Sequence, residues 1–318
     1  MGRVFIPSDA PDGGLPAERL APGAALAGAD LRGRDLRSVD LSGANLMGAD
    51  LRDADLTDAN LSDAELAGAD LSGATLMHAR CSRAGLLGAT LVGIRAERVQ
   101  LDDASLTGAD LSGADLTGAN LAGARLTEAT LHRALLEHAS LAGADLRRAR
   151  LRGADLLGAD LSRSRLDGLQ AYTSASFVGV DLRDADFRGA YGFRRFAVDQ
   201  NYLYELRHRS RASAVVYWLW WATSDCGRSL VRWSGWTVAV TLGFAWLYTL
   251  VDVDFGSHAT WLSPLYYSVV TLTTLGYGDV LPTSTAAQAV AMGQALIGYI
   301  ALGGLLSILT TKMGRRGE

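Results

Sequence analysis

Residues 41–70 read LSGAN LMGAD LRDAD LTDAN LSDAE LAGAD. Leucine returns at every fifth position. One frame carried from Leu26 to Leu166 contains 29 positions, and 27 of them are leucine; Cys81 and Ala96 are the exceptions. The residue two before each frame position is nearly always alanine, and the one directly before it is often Asp or Asn. A period of five fits neither a helix at 3.6 nor a strand at 2, so the pattern is a structural repeat. A large and a small apolar residue two apart point the same way, while the other three are mostly polar or glycine. A chain that turns a corner every five residues therefore puts Leu and Ala inside. Four sides close a square coil of about 20 residues, and successive coils stack about 4.8 Å apart through strand-like hydrogen bonds.

The pattern resembles the pentapeptide-repeat family, whose motif is A(D/N)LxG or close to it. The resemblance runs over roughly residues 24–190 and implies a right-handed quadrilateral β-helix, with the rod domain expected over 24–195 and a cap over the Pro- and Gly-rich residues 1–23. About 8 coils make a rod roughly 40 Å long. Two departures are visible. Around IRAERVQ (94–100) the interior residues become Ile94, Ala96 and Val99, so one coil is expected to be irregular. After Leu166 the frame slips at DGLQAYTSAS, and Tyr172, Phe177, Leu182 and Phe187 resume one residue out of phase. A solenoid end exposes unpaired strand groups and apolar core, so the switch to aromatics reads as a plug. Some members of the family are acidic DNA mimics that bind topoisomerases. Here 28 acids against 22 bases over residues 1–200 is a weak bias. The rod is read as a scaffold or a dock for an unidentified cytoplasmic protein, with nucleic acid not expected. His78, His132, His138, His208 and His258 show no metal-ligand spacing; the pair in HRALLEH (132–138) belongs on the solvated surface. No catalytic constellation stands out, and no enzyme activity or cofactor is expected.

The totals, 318 residues and a formal charge of −4, allow two domains and give no hint of a basic surface. Two distant cysteines, Cys81 and Cys226, form no disulfide framework. The start, MGRVFIPSDAPDGG, has no apolar run, so no signal peptide is expected. The averages hide two different halves. Residues 201–318 hold 6 acids and 8 bases, all seven tryptophans lie between Trp218 and Trp261, and no Lys or Arg occurs from Trp233 to Thr311. Such a run marks a membrane.

Residues 196–232 read as a helical connector, with an amphipathic helix over 197–212. AVVYWLWWA (214–222) is too short to span a hydrocarbon core of about 30 Å. Its three tryptophans and tyrosine suit either a membrane-surface helix or a helix buried against the repeat cap. A first span is expected at 233–251 and a second at 286–309, within an overall unit of 233–311. Nineteen residues reach about 28 Å. Arg207, Arg209, Arg211, Arg228 and Arg232 precede the first span, and Lys312, Arg315 and Arg316 sit in the 312–318 tail. The connection between the spans carries Asp252, Asp254 and Asp279 and no base. The positive-inside rule then places both termini, and the rod, in the cytoplasm of a cell whose plasma membrane the chain crosses twice.

Between the spans lies WLSPLYYSVVTLTTLGYGDVLPT (261–283). Residues 262–274 make a short helix with Pro264 in its first turn, followed by an extended return. Two glycines flanking a tyrosine cost about 1 kcal/mol each in a helix, and a lipid-facing loop cannot leave its backbone unpaired. TTLGYGD resembles the selectivity filter of potassium channels, and the surrounding segments resemble their two-span pore unit with a re-entrant pore helix and filter loop. The resemblance implies a homotetramer embedded in membrane lipids, with K⁺ as the permeant ion. It implies that the carbonyls of Thr274, Leu275, Gly276 and Tyr277, with the Thr274 hydroxyl, replace the ion's water shell, while Gly278 and Gly276 supply left-handed backbone. Thr273, Asp279, Tyr266, Tyr267 and Val270 fall at filter-supporting positions. Leu275 stands where the family usually has Val or Ile, and Val270 where some bacterial members have a buried glutamate. Asp279 must then find another partner, with Tyr267 the expected one. Gly298 falls at the family's hinge position, followed by Gly303 and Gly304; these glycines serve either bending or close helix packing. Ser307, Thr310 and Thr311 are candidates for an inner vestibule near a gate. With no Arg-rich helix before the pore, steep voltage gating is not expected. The function implied is a potassium-selective channel regulated through its repeat rod. The alternatives are a weakly selective cation channel and a membrane-tethered repeat scaffold whose pore does not conduct.

Overall fold

The computed structural model describes residues 20–314, apart from 189, 227, 228 and 258, and leaves aside the side chains of 191 and 311–314. The expected cap over 1–23 thus falls largely outside the described residues, as do Arg228, His258, Arg315 and Arg316. The chain divides into two compact units, Met1–Tyr204 and Glu205–Glu318.

The first unit is the stacked coil that a period of five demands. Up to Arg150, bridging residues pair in parallel with the residue 20 further on, as in Ala25↔Asn45, Asp30↔Asp50, Asp35↔Asp55 and Asp40↔Asn60. Four bridges per 20 residues make four sides. Nearly all sides close with a turn in which the residue three after the frame leucine donates back to it, as Ala29 N–H does to Leu26 O at 3.0 Å. The residue in between takes left-handed backbone; Gly28 has φ 67 and His78 has φ 58. Glycine adopts this freely, whereas Asp53, Arg83 and His138 hold it at a conformational cost that their buried neighbours offset. Asp or Asn before the leucine caps the same turn. Asp55 accepts from Thr57 N–H at 3.0 Å and from the Thr57 hydroxyl at 2.6 Å. Where arginine follows, the pairing is ionic and climbs the coils: Arg52 donates to Asp50 and reaches Asp70 one coil on. Frame leucines and their alanine partners are buried along the whole rod; each such leucine contributes about 2 kcal/mol of transfer free energy.

Around 94–100 the backbone is unbroken, against the expectation of an irregular coil. Thr75↔Arg95↔Asp115 and Arg80↔Gln100↔Asn120 bridge as elsewhere. The reason is compensation: Ile94 fills the alanine slot and Ala96 the leucine slot, so large and small exchange places with both fully buried. Cys81 takes a leucine slot, and burial pushes its thiol up to about 12. The frame slip is real. Bridges lengthen to 21 residues at Asp155↔Ser176, Asp160↔Asp181 and Arg165↔Asp186. The extra residue is absorbed by a 3-10 turn, Tyr172–Ser174, entered through Ala171 at φ 54.

The plug is partly helical. Helix α1 (Tyr191–His208) opens six residues before the expected 197 and lays Phe193 into the coil end. The Phe193 ring meets Phe177 edge-on at 4.8 Å and Tyr172 at 5.3 Å. Its amides stand in for a missing next coil. Gln200 accepts from Phe177 N–H at 2.8 Å and donates to Ala175 O at 2.9 Å. Asn201 accepts from Gly179 N–H and donates to Phe177 O.

In the second unit, α2 (Arg211–Ser224) starts at a reciprocal cap between Ser210 and Ser213. Helix α3 (Leu230–Leu247) starts at Ser229, whose hydroxyl accepts from Arg232 N–H, and stops four residues short of the expected 251 in a turn over 248–250. Then come β1 (Val253–Asp254), α4 (Ser263–Leu272), β2 (Leu281–Pro282) and α5 (Thr285–Gly314). By length and apolar composition, Thr285–Thr310 can cross a membrane. Antiparallel pairing of β1 with β2 ties the end of α3 to the start of α5, with Thr283 N–H and hydroxyl both donating to Asp252 O.

Candidate functional site

Helix α4 has Pro264 in its first turn and ends at Leu272 because the chain turns left-handed at Thr274, φ 59. Its last carbonyls are met by the loop itself: Thr273 N–H donates to Val269 O, Thr274 N–H to Thr271 O and Leu275 N–H to Val270 O, at 3.0, 3.1 and 3.1 Å. The loop then alternates. Thr274, Gly276 and Gly278 have φ of 59, 51 and 78, while Leu275 and Tyr277 are not among the positive-φ residues. Alternating hands turn successive peptide units alike, with N–H groups on one side and carbonyls on the other. Leu275 and Tyr277 are exposed on this single chain.

Asp279 ends the loop and accepts from the Tyr266 hydroxyl at 2.7 Å. This corrects the expectation of Tyr267 as its partner. One residue along a helix rotates the side chain by about 100°, and Tyr267 is instead buried against Tyr248 at 4.6 Å between rings. Val270 is buried behind the loop. A cavity of about 330 Å³ lies there, lined among others by Val270, Gly276, Asp279 and Tyr299. Thr273 turns its hydroxyl back to Val269 O at 2.8 Å.

Of the α5 glycines, two have packing reasons. A β-carbon on Gly298 would overlap the Leu272 carbonyl, and one on Gly304 would overlap the Trp233 ring. Gly303 meets nothing within 4 Å. The Trp233 indole N–H donates to Ala301 O at 3.1 Å, holding α3 to α5. Thr310 bonds its hydroxyl to Ser307 O at 2.9 Å; the Thr311 side chain lies outside the described residues. A second cavity, about 350 Å³, is lined by Trp220, Trp233, Gly303, Gly304 and Ser307.

Sequence reasoning passed over a buried polar chain across three helices. Tyr248 OH donates to Gln294 Oε1 at 2.7 Å; Gln294 Nε2 donates to Ser268 O at 2.9 Å and Ser268 Oγ at 2.7 Å; Ser268 Oγ donates to Thr241 O at 2.7 Å. An amide inside an apolar run was the available signal. Among the described residues, no three or more of His, Cys, Asp and Glu group to hold a metal.

Comparison with known proteins divides the chain the same way. Residues 236–315 match the family model described as ion channel, and 23–53, 54–93, 97–133 and 131–168 match pentapeptide repeats, in 8 copies. HetL, a pentapeptide repeat protein involved in heterocyst differentiation regulation from the cyanobacterium Nostoc sp. strain PCC 7120, is 34% identical. That match covers 53% of this chain and 82% of HetL, with a TM-score of 0.36. QnrB1, a plasmid-mediated fluoroquinolone resistance protein, is 23% identical over 55% of this chain and 88% of its own, with a TM-score of 0.25. Rfr23 from the cyanobacterium Cyanothece 51142 is 29% identical over 43% and 90%, with a TM-score of 0.14. At these TM-scores the likenesses add nothing to the fold read from the bridges. No curated protein matches the chain. With 8 repeat copies before Leu169 and 34% identity to HetL over 82% of its length, the chain belongs to the pentapeptide-repeat proteins through its first part, and residues 236–315 of its second part match the ion-channel family model.

Proposed function

We propose that the chain is the subunit of a homotetrameric, potassium-selective channel. The observation that carries this reading is the alternation of left-handed backbone at Thr274, Gly276 and Gly278, directly after a short helix and directly before an acid. One strand cannot enclose an ion, so four copies must meet on an axis. The carbonyls of Thr274, Leu275, Gly276 and Tyr277 and the Thr274 hydroxyl then form stacked rings that replace the water shell of K⁺. Several sites in series let one ion displace the next. The C-terminal end of α4 contributes about half a negative charge toward the ion path. Tyr277 turns away from the axis into a neighbouring subunit, and Asp279, held by Tyr266, marks the outer mouth.

In this reading α3 and α5 both cross the bilayer and α4 with its loop re-enters from the outside. Eighteen residues of α3 reach about 27 Å, and α5 spans with tilt. Arg207, over the rings of Tyr217 and Trp218 at 5.8 and 5.2 Å, and Arg232, over Trp221 at 5.3 Å, give α2 a basic, aromatic character suited to the cytoplasmic headgroup layer. Both termini are cytoplasmic, and the repeat rod is a regulator or a dock for a cytoplasmic partner. A weakly selective cation pore is the second reading, favoured by Val270 and the cavity behind the loop.

Ion flux into liposomes containing the purified protein tests this, with K⁺ and Na⁺ gradients compared beside Gly276→Ala. Flux that prefers K⁺ and disappears in the variant is expected. Equal flux of both ions selects the second reading. Absence of flux from both the full chain and a chain lacking residues 1–195 selects a non-conducting scaffold.

A further inference from the structure

Helices α4 and α5 touch at two successive turns. Ser268 meets Gln294, and four residues on in both helices Leu272 meets Gly298. The second contact sets distance, since backbone lies against backbone. The first sets register, because it is a directed bond.

Gln294 is fully buried, as is Ser268, and Tyr248 is 1% exposed. The amide orientation is dictated: Ser268 O can only accept, so the nitrogen faces it and the oxygen faces the Tyr248 hydroxyl. Each donor in the chain has an acceptor, and among the described residues no buried side-chain nitrogen or oxygen lacks a partner. The bonds reach α3 at Thr241 and at Tyr248, the residue that caps its C-terminus. A completed polar network in an apolar surrounding specifies one arrangement, because any slip strands a donor or acceptor where water cannot replace it.

We propose that Gln294 is a positioning residue for the loop: it locks α4 between α3 and α5 and thereby holds Thr274–Gly278 at the ion path. This rests on the channel reading above. The loop starts at Thr274, two residues after Leu272, so a shift of the last turn of α4 passes directly into it. Gln294 bonds Tyr248 and Ser268, and its effect on ions is transmitted through Ser268.

The test compares Gln294→Leu, Tyr248→Phe and their double variant in the full-length protein. Two readouts are taken: the K⁺/Na⁺ permeability ratio, and amide hydrogen exchange over residues 268–276. Gln294→Leu is expected to lower the ratio about tenfold and to speed exchange there about tenfold, leaving residues 230–238 at the wild-type rate. The double variant is expected to match Gln294→Leu alone, since the residues act as one unit. Wild-type ratio and exchange in Gln294→Leu, or additive effects in the double variant, overturn the clamp. If Gln294→Leu does not assemble, Gln294→Glu decides. Its protonated form keeps one donor and one acceptor, so selectivity is expected near wild type in acid and lost as pH rises through the carboxyl's titration. A ratio independent of pH overturns the proposal. A wild-type protein that passes K⁺ and Na⁺ equally removes the potassium-selective reading, and one that passes neither ion with or without residues 1–195 removes the channel reading, while the exchange measurement still decides the clamp in both cases.

Discussion

The α-carbon of Gly298 rests against the carbonyl of Leu272, and a β-carbon at 298 would lie 3.0 Å from the Leu272 carbonyl carbon and overlap its oxygen. The obstacle is backbone at the last turn of α4, which cannot rotate aside. Gly298→Ala is therefore expected to cost about 1–3 kcal/mol, read as a lower thermal midpoint of the detergent-solubilised assembly. Gly303→Ala is the contrast, with open space around it. It should hold the midpoint or raise it, by a stabilisation of up to about 1 kcal/mol through helix propensity. If Gly303→Ala also changes open probability at unchanged stability, bending of α5 occurs at 303.

Tyr266 holds Asp279 at the end of the loop by one hydrogen bond to a carboxylate. Tyr266 is exposed on the single chain, so the bond contributes modestly, below the range for buried charged pairs. Tyr266→Phe is expected to speed the decay of K⁺ current under sustained opening. Tyr267→Phe, which removes a hydroxyl not bonded to Asp279, should leave decay near wild type. Single-channel or macroscopic recordings in planar bilayers compare them directly.

Phe193 seals the last coil at 1% exposure. Phe193→Ala should cost about 3–5 kcal/mol of rod stability, seen as a lower midpoint of the far-ultraviolet β signal. Val198→Ala, on the exposed face of the same helix at 56%, should change rod stability by less than about 0.5 kcal/mol and leave that midpoint nearly unmoved. Equal effects of the two would mean that α1 does not cap the rod.

Acid should loosen the rod at its ends. The Arg37 guanidinium holds the Asp35 carboxyl down at about 2, and Arg32 and Arg188 do the same for Asp30 and Asp186. Their folded values lie below the ordinary value of 3.8. The contribution is therefore complete above pH 3.8 and is lost as pH falls through about 2. These pairs are exposed, so the effect is modest and weakened by salt. A thermal midpoint followed from pH 5 to pH 2 should fall, and should fall less steeply in Asp35→Asn. An unchanged slope in that variant rules out this pair as a contributor.

Much of the molecule is legible in one dimension. A period of five fixes a corner every five residues, because the interior can accept only the leucine and the alanine. The slip after Leu166, the aromatic plug and the loop TTLGYGD are equally local, since turn hand, side-chain size and glycine placement are properties of adjacent residues. What the linear order could not contain is register between helices far apart in sequence. Whether Tyr266 or Tyr267 reaches Asp279 depends on the rotation of α4. Whether Gly298, Gly303 or Gly304 packs depends on what stands opposite, which is Leu272, open space and Trp233 in turn. The bond from Gln294 to Ser268 joins residues 26 apart through buried space. Ile94 and Ala96 exchange sizes without breaking the coil because their volumes sum in three dimensions. Composition and period thus decided which elements exist, and packing decided which residues on them meet, because contact is set by distance and direction after folding.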